Sequence, residues 1–175
     1  MMGKTHKLGG LCTGLMTSSI LIQQPYTVEK LAICGVITIT SMIGSMWPDI
    51  DQKNSTIGKK HKITSTIIST LFTHRGITHA PLLYFLLFSI LFNFTNLIEN
   101  TIIKTSVLSG LFGFFLGIMS HLVLDMITHD GIPICYPFSK KSFIHGPFKS
   151  KDDNGKVSFF IILITVIVLI YQLIF

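Results

Sequence analysis

The sequence predicts an all-α membrane protein, a polytopic bundle of about five transmembrane helices. Of its 175 residues, 49% are hydrophobic and only 13% are charged, which is about half the charge of an average soluble domain. The apolar residues also form long continuous blocks rather than periodic stripes, as is typical of helices that cross a bilayer. Composition and patterning together therefore favour a membrane protein over a soluble one.

Five apolar blocks follow one another along the chain. A block must cross about 30 Å of hydrocarbon at about 1.5 Å per residue, and three blocks are clearly long enough: residues 80–98, 106–127 and 157–175. The block at 31–47 is at the short limit, and the block at 8–22 is shorter and more polar. A count of four spans is therefore the alternative to five.

Five spans would alternate sides and place residues 1–7, 48–79 and 128–156 on one side of the membrane. This side carries twelve of the fourteen Lys and Arg residues, so the positive-inside rule makes it cytoplasmic. We therefore expect a multi-pass protein of the inner (cytoplasmic) membrane, with its N-terminus and its long loops in the cytoplasm.

The net charge of +6 fits this orientation and contact with anionic lipid headgroups, so membrane lipids are the expected partners. A nucleic-acid partner would need a basic patch with residues that read or stack on bases. The sequence shows no such patch, and nucleic acid is not an expected partner.

Histidine and acidic residues from several distant segments fall on the cytoplasmic side of this topology. They lie at the start of span 1, after span 2, before span 3 and in the last turns of span 4. In chain order they are His6, Asp49, Asp51, His74, His79, His121 and Asp125. The topology therefore predicts that they share one membrane depth.

Spacing within the spans indicates which way these residues face. His121 and Asp125 are four residues apart and share a helix face, and Gly113 and Gly117 continue that ridge. Small residues at this spacing let a neighbouring helix approach closely, so we expect the pair to face the bundle interior. Span 1 has a similar ridge, on which Gly10, Gly14 and Ser18 follow His6. In span 2, Ser41 and Ser45 lead towards Asp49, although Pro48 should end the helix before Asp49.

Ionisable groups at this depth are costly unless they are paired or bound to metal. Imidazoles and carboxylates together suit Zn²⁺, Mn²⁺ or Fe²⁺, and zinc is our first choice. The three cysteines show no C-x-x-C spacing and indicate neither a disulfide framework nor a cysteine zinc site. A plainer alternative is that His121 and Asp125 hydrogen-bond each other and hold helices together, with His6 as an interfacial histidine.

The stretch at residues 63–73 places Ile63, Ile67 and Leu71 on one helical face and Ser and Thr on the other. It predicts an amphipathic helix at the headgroup boundary that carries His74, although its β-branched residues leave a strand open. Arg75 follows directly and could clamp an anionic group or anchor on a lipid phosphate.

Three motifs in fixed order resemble the YdjM family of inner-membrane metal-dependent hydrolases: "PDIDQKNS", "HRGITH" and "SHLVLDMITHDGIPICYP". His6 also matches the N-terminal histidine of that family. Ala80 stands where the family usually has Ser, and His129 occupies a position that the family does not fix. A looser likeness to zinc-dependent phospholipase C hints at phosphoester chemistry.

The resemblance implies a metal-dependent hydrolase. We expect one metal to be held by four of the residues above, and a further three to complete its site or hold a second metal. The four are His121, Asp125, Asp49 and His79, and the three are His6, His74 and Asp51. Such a metal lowers the pKa of a bound water, Asp51 would serve as general base, and Arg75 would contact the phosphate of a lipid or phosphoester substrate.

Two functions of other classes remain open. A cation or proton transporter usually sets its ion site near the bilayer midplane, whereas these residues lie at span ends. A purely structural metal would tie the helices together without catalysis. The predicted organisation of the chain is the same for all of these functions. We divide it into a membrane-embedded metal-site domain with cytoplasmic loops, residues 1–156, and a C-terminal transmembrane anchor helix, residues 157–175.

Overall fold

The computed structural model is a helix bundle that describes residues 1–22, 25–71, 76–139, 141–142, 145–149 and 152–174. Within these ranges there is no β-strand, only an isolated bridge between Thr128 and Phe148. The all-α prediction is confirmed. The helices are α1 (Gly3–Leu21), α2 (Val28–Gly44), α3 (Thr56–Lys60), α4 (Lys62–Leu71), α5 (Pro81–Phe94), α6 (Thr101–Met126) and α7 (Asn154–Ile174), with 3₁₀ turns at Pro48–Asp51, Ile77–His79 and Thr95–Leu97.

Each predicted apolar block overlaps one of the five longest helices that the structure describes, α1, α2, α5, α6 and α7. Three segments are long and apolar enough to cross a membrane: Val28–Asp51, Thr101–Met126 and Asn154–Ile174. The apolar segment Pro81–Leu97 is shorter, so the prediction that residues 80–98 form one of the three clearly long spans is wrong for the helix. The block at 31–47, predicted to be at the short limit, lies within Val28–Asp51. α1 has 19 residues and is long enough to cross a membrane, but its Gly, Ser and Thr residues make it less apolar than the three candidate spans. The chain is therefore a membrane protein with at least three candidate spans among the described residues.

α2 packs against both α1 and α6. The predicted small-residue ridges form these contacts. A Cβ on Gly117 of α6 would overlap the carbonyl oxygen of Ser41, and a Cβ on Gly10 of α1 would lie 2.6 Å from the same oxygen. The Ser41 hydroxyl in turn donates to the Gly10 carbonyl at 2.7 Å. These contacts confirm that the ridges face the bundle interior.

α2 ends at Gly44, and the chain turns through the 3₁₀ segment that begins at Pro48. Asp49 and Asp51 thus lie beyond the helix, as the position of Pro48 predicts. α4 is helical, so the strand alternative for this stretch is wrong as far as Leu71, and residues 72–73 lie outside the described part of the chain. Ile63 and Ile67 are 80% and 54% exposed, so the apolar face of α4 points away from the bundle.

Candidate metal centre

Five side chains from four segments meet where α1 begins and α6 ends. We call them the His/Asp centre: His6 from α1, Asp49 from the turn after α2, His79 from the turn before α5, and His121 and Asp125 from α6. His79, His121 and Asp125 offer ligand atoms within 4.8 Å of one another, and so do His6, Asp49 and His121. The structure thus brings together five of the seven residues expected to converge.

His121 is held by the end of α2. Its Nδ1 lies 2.7 Å from the Ser45 carbonyl oxygen, and a carbonyl can only accept, so Nδ1 carries the proton of this bond. In the neutral imidazole this leaves Nε2 as the lone-pair nitrogen. Nε2 lies 3.5 Å from Asp125 Oδ2 and 3.8 Å from Asp49 Oδ1. The Ser45 carbonyl at the end of α2 therefore orients Nε2 of His121 into the centre.

His79 enters from the opposite side, and Asp51 stands behind it. His79 Nε2 lies 3.3 Å from Asp125 Oδ2 and 3.3 Å from His121 Nε2. His79 Nδ1 lies 3.1 Å from Thr78 Oγ1 and 3.6 Å from Asp51 Oδ2. The Thr78 hydroxyl donates to the same Asp51 oxygen. One oxygen of Asp51 is thus engaged, and a general-base role would have to use the other.

This arrangement also sets the charge of His79, which lies outside the membrane-spanning helices. Burial lowers the pKa of its imidazole, but contacts with the Asp125 and Asp51 carboxylates together raise the pKa by more than burial lowers it, to about 9. Without a metal, His79 is therefore protonated at neutral pH. The two acidic side chains attract positive charge to this position.

His6 provides the clearest sign that the centre fits a metal. It is fully buried, its ring stacks on His121 with centroids 3.7 Å apart, and its Nε2 lies 3.3 Å from Asp125 Oδ1. Neither ring nitrogen has a hydrogen-bond partner among the described residues. Buried polar atoms are normally satisfied, and an imidazole nitrogen beside a carboxylate is a good ligand for a divalent transition metal.

The carboxylates differ in their surroundings. Asp125 is 2% exposed, and its Oδ1 also lies 2.7 Å from the Met1 amino group, so this oxygen is placed to bind a cation. The Asp49 side chain is 15% exposed and is the more open of the two. The Ser55 hydroxyl holds Asp49 in place by donating to its carbonyl oxygen at 2.7 Å, and it also caps α3.

His74 and Arg75 fall outside the described residues. His129 is exposed, and its carbonyl oxygen accepts a hydrogen bond from His145 Nδ1 at 2.8 Å, so both histidines belong to the loop after α6. Ser45 and Thr78 support the centre as described above, and the Thr128 hydroxyl donates to the Asp125 carbonyl oxygen at 2.7 Å. Composition and spacing alone do not predict these roles. Their signals were the ridge of α2 for Ser45, and the resemblance motifs for the two threonines.

Comparison with known proteins agrees with the motif resemblance. The profile of the family described as "YdjM inner membrane protein" matches residues 1–175. The chain is 31% identical over 137 residues to "Uncharacterized protein YvsG" of Bacillus subtilis, which is 78% of this chain and 74% of that protein.

Proteins named "Inner membrane protein YdjM" from Escherichia coli and Shigella flexneri are each 33% identical to this chain over 101 residues, or 58% of it. The match covers 49% of each relative, so this chain aligns with about half the length of those proteins. No solved structure matched the chain. Family profile, motif order and helical membrane fold agree, and the chain belongs to the YdjM family of inner membrane proteins.

Proposed function

We propose that the protein is a membrane-bound, metal-dependent hydrolase whose site lies at the cytoplasmic membrane interface. The observation that carries this proposal is the His/Asp centre, in which three imidazoles and two carboxylates converge with His6 left unsatisfied. A buried set of nitrogen and oxygen ligands without thiolate suits zinc, with manganese or iron as alternatives. When bound, such an ion supplies a Lewis acid that activates water for hydrolysis.

The protein groups have distinct tasks in this proposal. The Ser45 carbonyl orients His121, while Thr78 and Asp51 orient His79, as outer partners of metal ligands commonly do. Asp49 is the more exposed carboxylate of the centre, so water and substrate reach it more easily than they reach Asp51. Asp49 Oδ1 is the oxygen that faces His121 Nε2. We therefore assign the general base to the other oxygen of Asp49, in place of Asp51, which acts through His79.

The depth of the centre indicates the kind of substrate. His6 is in the first turn of α1, and Asp125 is the last residue but one of α6, so the centre lies at helix ends rather than at midspan. A site at this depth meets the headgroups and linkages of lipids. We propose a lipid or lipid-linked ester or phosphoester as substrate, with Arg75 on its anionic group.

The test is hydrolysis of a panel of defined phospholipids by protein in nanodiscs, reconstituted with Zn²⁺ or Mn²⁺. The His121→Ala variant should lose both metal and hydrolysis, because His121 contacts most of the centre. The His129→Ala variant is the matched control, since that histidine is exposed on the loop after α6 and should leave both unchanged. Equal metal content and equal hydrolysis in the His121→Ala variant would overturn the proposal.

A structural metal is the second candidate, because the centre joins four segments of the bundle. This role predicts that metal removal lowers the unfolding temperature although no member of the lipid panel is hydrolysed by the metal-loaded protein. Hydrolysis that depends on His121 would exclude a solely structural role.

A further inference from the structure

The bundle has an apolar groove whose lining residues Gly9 and Leu124 are close in the chain to His6 and Asp125 of the candidate metal centre. α6 and α7 both pack on α1, and a groove of about 360 Å³ lies between them. Gly9 and Met16 of α1 line its floor, and Leu116, Leu124 and Ile164 belong to its walls. This volume is within the range of about 300–1,000 Å³ that is usual for ligand sites.

The groove presents almost only carbon atoms to an occupant. Ser120 lies along it, but the Ser120 hydroxyl donates to the Gly117 carbonyl of its own helix at 2.8 Å. Val123 and Ile164 are 52% and 54% exposed, so one side of the groove opens outward from the membrane-spanning helices. In a bilayer that side faces hydrocarbon, and a lipid can enter laterally.

The position of the groove matches the layout of a lipid. Leu124 lines the groove, and the next residue, Asp125, belongs to the His/Asp centre. From there the groove runs along α6 to Leu116, about 12 Å at about 1.5 Å per residue, away from the helix end. A lipid in the leaflet next to the His/Asp centre has its headgroup linkage at the interface and its acyl chain directed towards the middle of the bilayer. The acyl chain therefore runs in the same direction as the groove from Leu124 to Leu116.

We propose that the groove between α6 and α7 binds one acyl chain of the lipid substrate and so places the headgroup linkage at the His/Asp centre. That the bound lipid is a substrate rests on the proposed hydrolase function. The binding of an acyl chain in the groove does not depend on that function. The substrate class that follows is a membrane lipid cleaved at its headgroup linkage, above the acyl chain, rather than a water-soluble phosphoester.

The experiment measures lipid retention by native mass spectrometry of detergent-purified protein titrated with oleoyl phosphatidylglycerol. Ile164→Trp fills the groove from its exposed rim, where a large side chain is tolerated. Ile162→Trp is the matched control, because Ile162 is 47% exposed and does not line the groove. Metal content and unfolding temperature are measured for both variants to show that each is folded.

We expect the wild type and the Ile162→Trp variant to retain one tightly bound lipid, and the Ile164→Trp variant to bind it at least tenfold more weakly. Metal content should be equal in all three. Equal lipid binding in both variants would overturn the groove assignment and leave the hydrolase proposal standing. Specific lipid binding without hydrolysis of any tested lipid would support the groove and count against the hydrolase.

Discussion

His121 Nδ1 lies 2.7 Å from the carbonyl oxygen of Ser45, and this hydrogen bond ties α6 to the end of α2. The bond exists because the two helices approach closely, with Gly117 against the backbone of Ser41. The packing of two membrane helices therefore sets the direction of an imidazole one turn away. Helix packing and the candidate metal centre are consequently coupled in this protein.

Gly117→Ala should disturb both the packing of α2 against α6 and the candidate metal centre. The new Cβ would overlap the Ser41 carbonyl oxygen, and overpacking of this kind costs about 1–3 kcal/mol, more than the gain of about 1 kcal/mol in helix propensity. We expect a lower unfolding temperature and reduced metal content. Trp47 packs edge-on against Phe114 of α6, so the fluorescence of this single tryptophan can follow unfolding.

Gly110→Ala is the control on the same helix. Its Cβ would lie 3.8 Å from Val36 and 3.9 Å from Thr40, which is ordinary contact, so stability and metal content should be unchanged or slightly higher. If Gly117→Ala behaves like Gly110→Ala, the close α2–α6 contact does not position the centre.

Asp51→Asn should weaken metal binding without abolishing it. Asp51 accepts from Thr78 and lies behind His79, and loss of such an outer partner typically lowers metal affinity about 10- to 100-fold. Thr78→Val should have a similar effect, because it removes the hydroxyl that links the two residues. Competition with a fluorescent chelator measures the affinity.

Asp152→Asn serves as the comparison, since Asp152 is exposed in the loop before α7 and should bind metal like the wild type. Complete loss of metal in Asp51→Asn would show that Asp51 is itself a ligand, contrary to the orienting role.

Metal affinity should rise with pH. In the metal-free protein the pKa of His79 is about 9, so at neutral pH the imidazole must lose a proton before it can act as a ligand. This group alone makes the affinity increase roughly tenfold per pH unit up to that pKa and level off above it. Calorimetric titrations in two buffers of different ionisation enthalpy count the released protons. Binding at neutral pH without proton release would show that His79 is not a ligand.

Much of the fold follows from patterns that are local in the sequence. The apolar blocks marked the long helices because length and hydropathy decide whether a segment can cross a bilayer. The ridge of small residues correctly predicts that His121 and Asp125 face the interior, since Gly113 and Gly117 let the backbone of a neighbouring helix approach closely. Pro48 likewise marked the end of α2 before Asp49.

The roles within the site depend on contacts that sequence spacing does not encode. The resemblance motifs suggest a general base at Asp51, but the turn at Ile77–His79 brings Thr78 and His79 against it. The stacking of His6 on His121 likewise arises from the crossing of α1 and α6. Such details depend on how separate helices meet, which a linear pattern leaves open.

The central claim is that the His/Asp centre binds a divalent metal, and metal content by inductively coupled plasma mass spectrometry tests it most directly. Wild-type protein purified in detergent is compared with Asp125→Ala and with His129→Ala, and folding of each is checked by tryptophan fluorescence. We predict one or two equivalents of a transition metal in the wild type, an equal amount in His129→Ala, and none in Asp125→Ala. Folded wild-type protein that binds no metal after reconstitution, or Asp125→Ala protein that retains it in full, would contradict the account.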